Sequence, residues 1–358
     1  MKHANISLFV PHAGCPNQCS FCNQKTISGS VKELTVEEVK ATLEKARNDG
    51  LSSENTEIAF FGGSFTAIDR DYMVSLLEEA KPFIKNGDFS GIRISTRPDA
   101  IDSEVLTLLR EYGVTAIELG AQSMNDEVLS SNRRGHTVED VIKASNLIKD
   151  YGFSLGLQMM TGLYKSTKEI DVETAKSIIA LKPDTVRIYP TIVLENTHLS
   201  ELLKQKEYVS PNLEETVLLC AELLEMFYEN NIKVIRLGLH SGGNVDEGYL
   251  SGPYHPAFGE LCESEIYLKR IRKKLFEIYK NEKISEIKNV TIYVNEKEIS
   301  KATGQKGKNK ESLLCDGFKV TIKGKSELEK YEIETENTKC IWKQLNCKAS
   351  NPFRTRLY

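Results

Sequence analysis

Between residue 5 and about residue 240, short β-rich runs alternate with amphipathic helical stretches. The β runs fall at 6–10, 57–61, 92–96, 116–119, 154–159, 185–189 and 234–237. The helical stretches fall at 36–46, 72–84, 104–112, 138–149, 169–181 and 214–229. In the fourth of these, Val138, Val141, Ile142, the small Ser145 and Ile148 recur at helical spacing. Thr35 with Glu38 forms a capping-box pattern, and Thr137 with Asp140 comes close to one. Repeated β-α units with short loops confine the chain to a parallel sheet, doubly wound or barrel-like, with right-handed connections. Such barrels gather their chemistry at the C-terminal ends of the strands. Functional residues are therefore to be sought just after each β run.

At 358 residues the chain can bury a sizeable core as one large domain or two to three smaller ones. No stretch approaches the roughly 20 apolar residues of a membrane span, and the first residues do not form a signal-peptide pattern, so a cytoplasmic protein is expected. Charge is unevenly placed. Residues 1–265 carry 25 Lys+Arg against 39 Asp+Glu, whereas 266–325 carry 16 against 7. A basic block of this kind suits a nucleic-acid or membrane-surface contact, or a solvated lysine-rich face.

Three of the eight cysteines crowd into Gly14-Cys15-Pro16-Asn17-Gln18-Cys19-Ser20-Phe21-Cys22-Asn23, directly after the first β run. Eight are too sparse for a disulfide scaffold, so the cluster reads as metal binding. Thiolates are the ligands of iron–sulfur clusters. Three of them on a four-iron cubane leave one iron open, as catalytic zinc sites leave one position open. A zinc site completed by His12 or a distant cysteine is the other metal reading of these residues. With no second C-x2-C pair, an auxiliary cluster is not expected.

The C-x3-C-x2-C run, with aromatic Phe21 before its last cysteine, resembles the cluster signature of the radical S-adenosylmethionine (SAM) superfamily. That resemblance implies a 4Fe–4S cluster on Cys15, Cys19 and Cys22 whose open iron chelates SAM. It also implies an external electron donor of flavodoxin or ferredoxin type. Gly62-Gly63-Ser64, after the second β run, resembles the family's glycine motif and implies contact with the methionine amino group. Thr96-Arg97-Pro98-Asp99 and Arg187-Ile188-Tyr189-Pro190-Thr191 resemble segments of the Elongator catalytic subunit. Glu118-Leu119-Gly120-Ala121-Gln122-Ser123, closing the fourth β run, and Asn132-Arg133-Arg134-Gly135-His136-Thr137 resemble coproporphyrinogen-oxidase-like members. Arg97 then faces either the cofactor carboxylate or a structural acid, and His136 reads as structural. Gly62, Gly63, Ser64, Arg97 and Gln122 are the expected SAM pocket. Gln122 and Tyr189 are the candidate catalytic side chains, with Tyr254, His255 and Cys262 behind them. The resemblance spans about residues 5–240. The residues after 240 are too few for the Elongator subunit's acetyltransferase domain, so acetyl-CoA chemistry is not carried over.

The expected architecture is α/β: a partial (β/α)6-type radical SAM barrel with a small basic α+β, KH-like C-terminal module. Residues 1–259 form the barrel with a Gly/His-rich covering loop at 239–259, 260–287 a connecting helix, and 288–358 the module. There a β run at 289–295, helices at 296–303 and 308–315, and a β run at 318–323 enclose Gly304-Gln305-Lys306-Gly307. A β-α-GxxG-α-β order outlines a KH module, whose GxxG loop clamps a nucleic-acid backbone. Gly304, Lys306, Gly307 and Lys308 are the RNA-binding candidates; a cap that only packs or dimerises is the bland alternative. Three functions fit: a radical enzyme modifying tRNA, one acting on a porphyrin-type or other metabolite, and a non-enzymatic SAM sensor or RNA-binding protein. The sequence leaves the oligomeric state open.

Overall fold

The computed structural model describes residues 4–10, 19–23, 32–51, 53–239, 245–280 and 286–337. Two compact units divide it, Met1–Pro256 and Ala257–Tyr358. Among the described residues, no helix is long and apolar enough to cross a membrane.

In the first unit, β1 (Ala4–Val10), β2 (Thr56–Gly62), β3 (Gly91–Thr96), β4 (Val114–Gln122), β5 (Ser154–Thr161), β6 (Thr185–Pro190) and a later strand at Lys233–Leu237 form one seven-stranded sheet in that spatial order. Every neighbouring pair is parallel, giving a half-barrel of six βα units and a closing strand. Helices α1 (Val36–Asn48), α2 (Arg70–Lys85), α3 (Ser103–Glu111), α4 (Asp126–Ser131), α5 (Val138–Asp150), α6 (Lys168–Ala180), α7 (His198–Lys204) and α8 (Leu213–Glu229) supply the connections. The expected helices lie within two residues of six of these; α4 and α7 are too short to show a period.

The capping chemistry is what the sequence implied and more. Thr35 and Glu38 close a full capping box on α1, and Thr137 and Asp140 close another on α5, the shorter aspartate sufficing. Helix α1 buries Val39, Leu43 and Ala46, one face at helical spacing. Strand β1 alternates, with Ile6, Leu8 and Val10 buried and Asn5 and Ser7 exposed, as befits a sheet edge. In β4, a central strand, seven consecutive residues from Ala116 to Gln122 are buried.

After β6, the two-residue β7 (Val193–Leu194) pairs antiparallel with β9 (Tyr249–Ser251), which comes after β8 (Lys233–Leu237) and α9 (Val245–Gly248). Gly252 adopts φ +118°, and a Cβ there would come within 2.9 Å of the Ile192 Cα. The described part of the expected covering loop thus packs on the segment after β6.

The second unit begins with α10 (Phe258–Tyr279), which buries Cys262, Ile266, Tyr267, Ile271, Leu275 and Tyr279. The segment expected as a connector is therefore part of this unit's own core. Its Arg272 pairs with Asp316 at 2.7 Å, and its Glu263 with Lys301 at 2.6 Å and with Lys330. Strand β10 (Lys288–Val294) pairs in parallel with β11 (Phe318–Gly324) and antiparallel with β12 (Glu334–Asn337). The crossover required by a parallel pair is α11 (Ile299–Thr303), the GxxG turn and α12 (Lys308–Cys315).

Candidate functional site

The chemistry-bearing residues lie where the parallel strands end. The loop after β1 carries the cysteines; Cys15 and His12 lie outside the described residues. Cys19 is buried and Cys22 half-buried, and the Cys22 N–H donates to the Cys19 carbonyl at 3.1 Å, turning the chain so that both sulfurs belong to one tight bend. Between them, Phe21 packs against a buried group of Val193, Leu199, Leu202 and Tyr208. Among the described residues, which leave out Cys15, no three His, Cys, Asp or Glu side chains form a metal-binding group.

Gly62, at the end of β2, has φ +116°, and a Cβ on it would lie 2.4 Å from the Val10 carbonyl and 2.6 Å from the Phe9 ring. Only glycine permits that approach of β2 to β1. The Gly63 N–H donates to the same Val10 carbonyl at 2.9 Å, and Ser64 is buried beside it.

Arg97, only 2% exposed, donates from Nε to the Asp99 carboxylate and from Nη2 to the Arg134 carbonyl at 2.7 Å. Of the two readings left open for it, the structure displays the pairing with an acid. Arg134 donates from Nη1 to the Cys19 sulfur at 3.1 Å and from Nη2 to the Gly120 carbonyl at 2.7 Å. Gln122, at the end of β4, adopts φ +66°, and its buried Oε1 has no hydrogen-bond partner among the described residues. A Cβ on Gly120 would meet the Gln122 amide at 2.9 Å, so this glycine makes room for both polar side chains.

His136 is buried, with Nε2 at 3.2 Å from the Ala121 carbonyl. Burial first, then the charge of Arg134, lowers its pKa from the ordinary 6.5 to about 4. The folded state holds the ring neutral, so its contribution to stability is present above pH 6.5 and is lost as pH falls from there through 4. The loss amounts to about 3 kcal/mol by pH 4 at 1.36 kcal/mol per unit. Asp171 runs the other way, burial having raised its carboxyl to about 6. The expected result is therefore a difference: His136→Gln should weaken the acid-induced loss of stability relative to wild type, as read by urea titrations at pH 7, 6 and 5. Parallel curves at all three pH values would contradict this account.

Sequence reasoning missed the ion network on the inner face of the sheet. The strand registers place Arg93, Ser95, Glu118, Gln158, Arg187 and Tyr189 on this one face. Glu118 is 1% exposed and is held by Arg187 through Nε at 2.6 Å and Nη2 at 2.8 Å, by Arg93 at 3.4 Å and by the Gln158 amide at 3.0 Å. Arg93 also pairs with Glu57 at 2.8 Å. The Arg187 guanidinium lies 5.0 Å from the Phe61 ring centre, and its Nη1 donates to the Tyr189 hydroxyl at 3.4 Å. Gly156 leaves the space Glu118 fills, since a Cβ there would come within 2.8 Å of the Glu118 Cγ. The signal was legible: Glu118, Arg93 and Arg187 are lone charges inside apolar strands, and a buried charge requires a partner.

The remaining candidates fall elsewhere. Tyr254 packs against Ile192, Leu194 and Val245. His255 is half-buried, and Cys262 is fully buried within α10. In the second unit, the GxxG turn has φ of +79° at Gly304, +53° at Lys306 and +82° at Gly307. Gly304 is fixed by Asn309, whose backbone N would lie 2.8 Å from an added Cβ; nothing lies within 4 Å of one on Gly307. The Asn309 amide donates to the Ser264 carbonyl at 2.9 Å and to the Ala302 carbonyl at 3.2 Å, tying the turn to α10. Lys306, Lys308 and Lys310 are exposed.

The model of the Radical SAM superfamily matches residues 9–178, and that of the Radical_SAM C-terminal domain matches 183–269. A tRNA uridine(34) acetyltransferase of Methanocaldococcus jannaschii is 34% identical over 200 residues, 50% of this chain and 37% of that protein. Elongator complex protein 3 of Homo sapiens is 32% identical over 204 residues, 51% of this chain and 37% of that protein. The chain thus aligns with less than two fifths of these relatives' length. The solved archaeal Methanocaldococcus infernus Elp3 with an N-terminal deletion shares the fold, with a TM-score of 0.60 and 24% identity over 76% of this chain and 64% of that one.

The superfamily uses a 4Fe–4S cluster and SAM. The residues fit both groups: a cysteine bend whose buried sulfur accepts a hydrogen bond from a guanidinium, beside a buried Gln122 oxygen still to be satisfied. With two family models covering the half-barrel and its C-terminal continuation, the chain belongs to the radical SAM superfamily.

Proposed function

We propose that this protein is a radical SAM enzyme of the cytoplasm that modifies tRNA, supplied with electrons by a flavodoxin- or ferredoxin-type donor. The observation that carries it is the cysteine bend at the strand-end mouth of a half-barrel whose relatives include proteins named for tRNA uridine 34. When bound, the cluster and SAM supply one-electron cleavage of the cofactor and hydrogen abstraction. The chain's own residues bind and orient. Cys15, Cys19 and Cys22 hold the cluster, with Arg134 offsetting thiolate charge at Cys19. Gly62, Gly63, Ser64 and Gln122 line the cofactor's amino-acid end, and Arg97 holds Arg134 by its carbonyl. Tyr189, aligned by Arg187 and Glu118, faces the substrate from the inner wall.

The second unit supplies the RNA contact. Its basic GxxG turn, Gly304, Lys306, Gly307 and Lys308, suits a phosphate backbone in the way a KH loop does. Lys306→Glu with Lys308→Glu is expected to weaken tRNA binding and to reduce the slope of log K against log salt by about 2. Filter binding at several salt concentrations measures this; an unchanged slope would remove these lysines from the interface.

The test of the function is an anaerobic assay of reconstituted protein with SAM and reductant, monitoring 5′-deoxyadenosine with and without bulk tRNA. Stimulation by tRNA supports the reading. Formation indifferent to tRNA turns the search to a small metabolite, and no formation with any reductant overturns the enzyme itself.

A further inference from the structure

Ser20 sits between two proposed ligands and is fully buried. Its N–H donates to the Asn132 carbonyl at 3.1 Å, and its hydroxyl donates to the Asn132 Oδ1 at 2.7 Å. Its carbonyl accepts from the Leu199 N–H at 2.7 Å. Each polar group of this serine is thus engaged by a residue more than a hundred positions away. Asn132 is equally committed: its Nδ2 donates to the Val128 carbonyl at 2.8 Å and to the Tyr164 carbonyl at 2.9 Å, and it too is fully buried.

Asn132 caps the C-terminus of α4, and Arg133 after it adopts φ +54°. A non-glycine residue in that region carries strain of order 1 kcal/mol. The left-handed turn sends the Arg134 N–H back to the Leu129 carbonyl at 3.0 Å, ending the helix, while the Asn132 carbonyl is taken by Ser20. Beyond Cys22, the Asn23 amide donates to the Glu195 carbonyl at 2.8 Å. Anchoring residues therefore occupy the C-x2-C interval and the position after it.

We propose that Asn132, acting through Ser20, is a positioning residue for the iron–sulfur cluster: it clamps the cysteine bend so that Cys19 and Cys22 are preset for the metal before it binds. The proposal rests on the assignment of Cys19 and Cys22 as ligands. Groups that orient metal ligands without touching the metal typically contribute 10–100-fold in affinity. An unanchored bend would instead have to be ordered by the cluster itself, at the cost of backbone entropy.

The experiment reconstitutes wild type, Asn132→Ala, Asn132→Asp, Ser20→Ala and Cys19→Ala anaerobically. It then measures iron and sulfide per chain, bleaching of the cluster absorbance by a chelator, and the midpoint potential. Unfolding of each apo-protein is measured alongside. Asn132→Ala and Asn132→Asp are expected to bleach about tenfold faster or more, the aspartate because it cannot donate to Val128 and Tyr164. Ser20→Ala, which keeps both backbone bonds, is expected to bleach about threefold faster and to lower apo stability modestly, since one buried hydrogen bond is lost and the Asn132 Oδ1 is left without its donor. Wild-type iron content and a bleaching rate within about twofold of wild type in Asn132→Ala would overturn the clamp. If the Asn132 variants do not fold, an unaltered bleaching rate in Ser20→Ala would overturn it equally. A full cluster in Cys19→Ala would instead sink the ligand assignment, so the two failures are distinguishable.

Discussion

Replacing Glu118 with Gln is expected to cost the first unit about 3 kcal/mol, the usual loss when one partner of a buried ion pair is removed. Glu118 receives Arg187 through two nitrogens and Arg93 through a third, in a strand where its neighbours are fully buried. An amide there offers one acceptor oxygen and no charge, leaving two guanidinium groups facing each other across β4. The loss should be recovered in large part by the double change Glu118→Leu with Arg187→Leu, because well-packed apolar residues can replace a buried pair with little loss. Urea unfolding monitored by far-UV circular dichroism reads both results. A single variant costing under about 1 kcal/mol, the scale of an exposed pair, would mean that water screens the network. Removing Arg187 also removes the donor on the Tyr189 hydroxyl, so the double variant should regain stability without regaining activity.

Cys19→Ala and Cys22→Ala should each abolish SAM cleavage, because the cofactor chemistry has no substitute among protein side chains. Iron per chain after reconstitution should fall with it. Cys220→Ala provides the contrast. Cys220 is fully buried, 3.8 Å from the Thr161 hydroxyl, and burial pushes its thiol up to about 12, so it is an inert core group. That variant should keep its cluster. Full cluster content retained in either Cys19→Ala or Cys22→Ala would refute the assignment of that cysteine.

Much of the half-barrel was legible because its cues are local. Apolar alternation, helical spacing and caps such as Thr35 and Thr137 depend only on near neighbours, and the strand ends could be placed from them. The apolar face of α10 is hard to see in the sequence because the helix carries Lys269, Arg270, Arg272, Lys273 and Lys274 beside its buried Ile266, Ile271 and Leu275. The charges drew attention from an apolar face whose partners, α11 and α12, come later in the chain. The inner-face network escaped for a different reason. Glu118 pairs with residues 25 and 69 positions away, and only register says which lone charges meet. Asn132 opens the run that resembles the family's helix entry, but no local pattern says that its side chain meets Ser20, 112 positions away.

The separations at the cysteine bend set an order of events in the cell. Ser20 gives hydrogen bonds to Asn132 and takes one from Leu199, so the anchored bend cannot exist until synthesis has passed Leu199 and α4 and α7 have folded around it. A ribosome-bound chain showing only its first β-α units presents thiols without a scaffold. On the proposed clamp, iron and sulfide are expected to be received by a half-barrel already assembled, late in translation or after release. The same timing exposes bare thiols to oxygen during synthesis, so slow translation in air should raise the share of chains that never acquire metal.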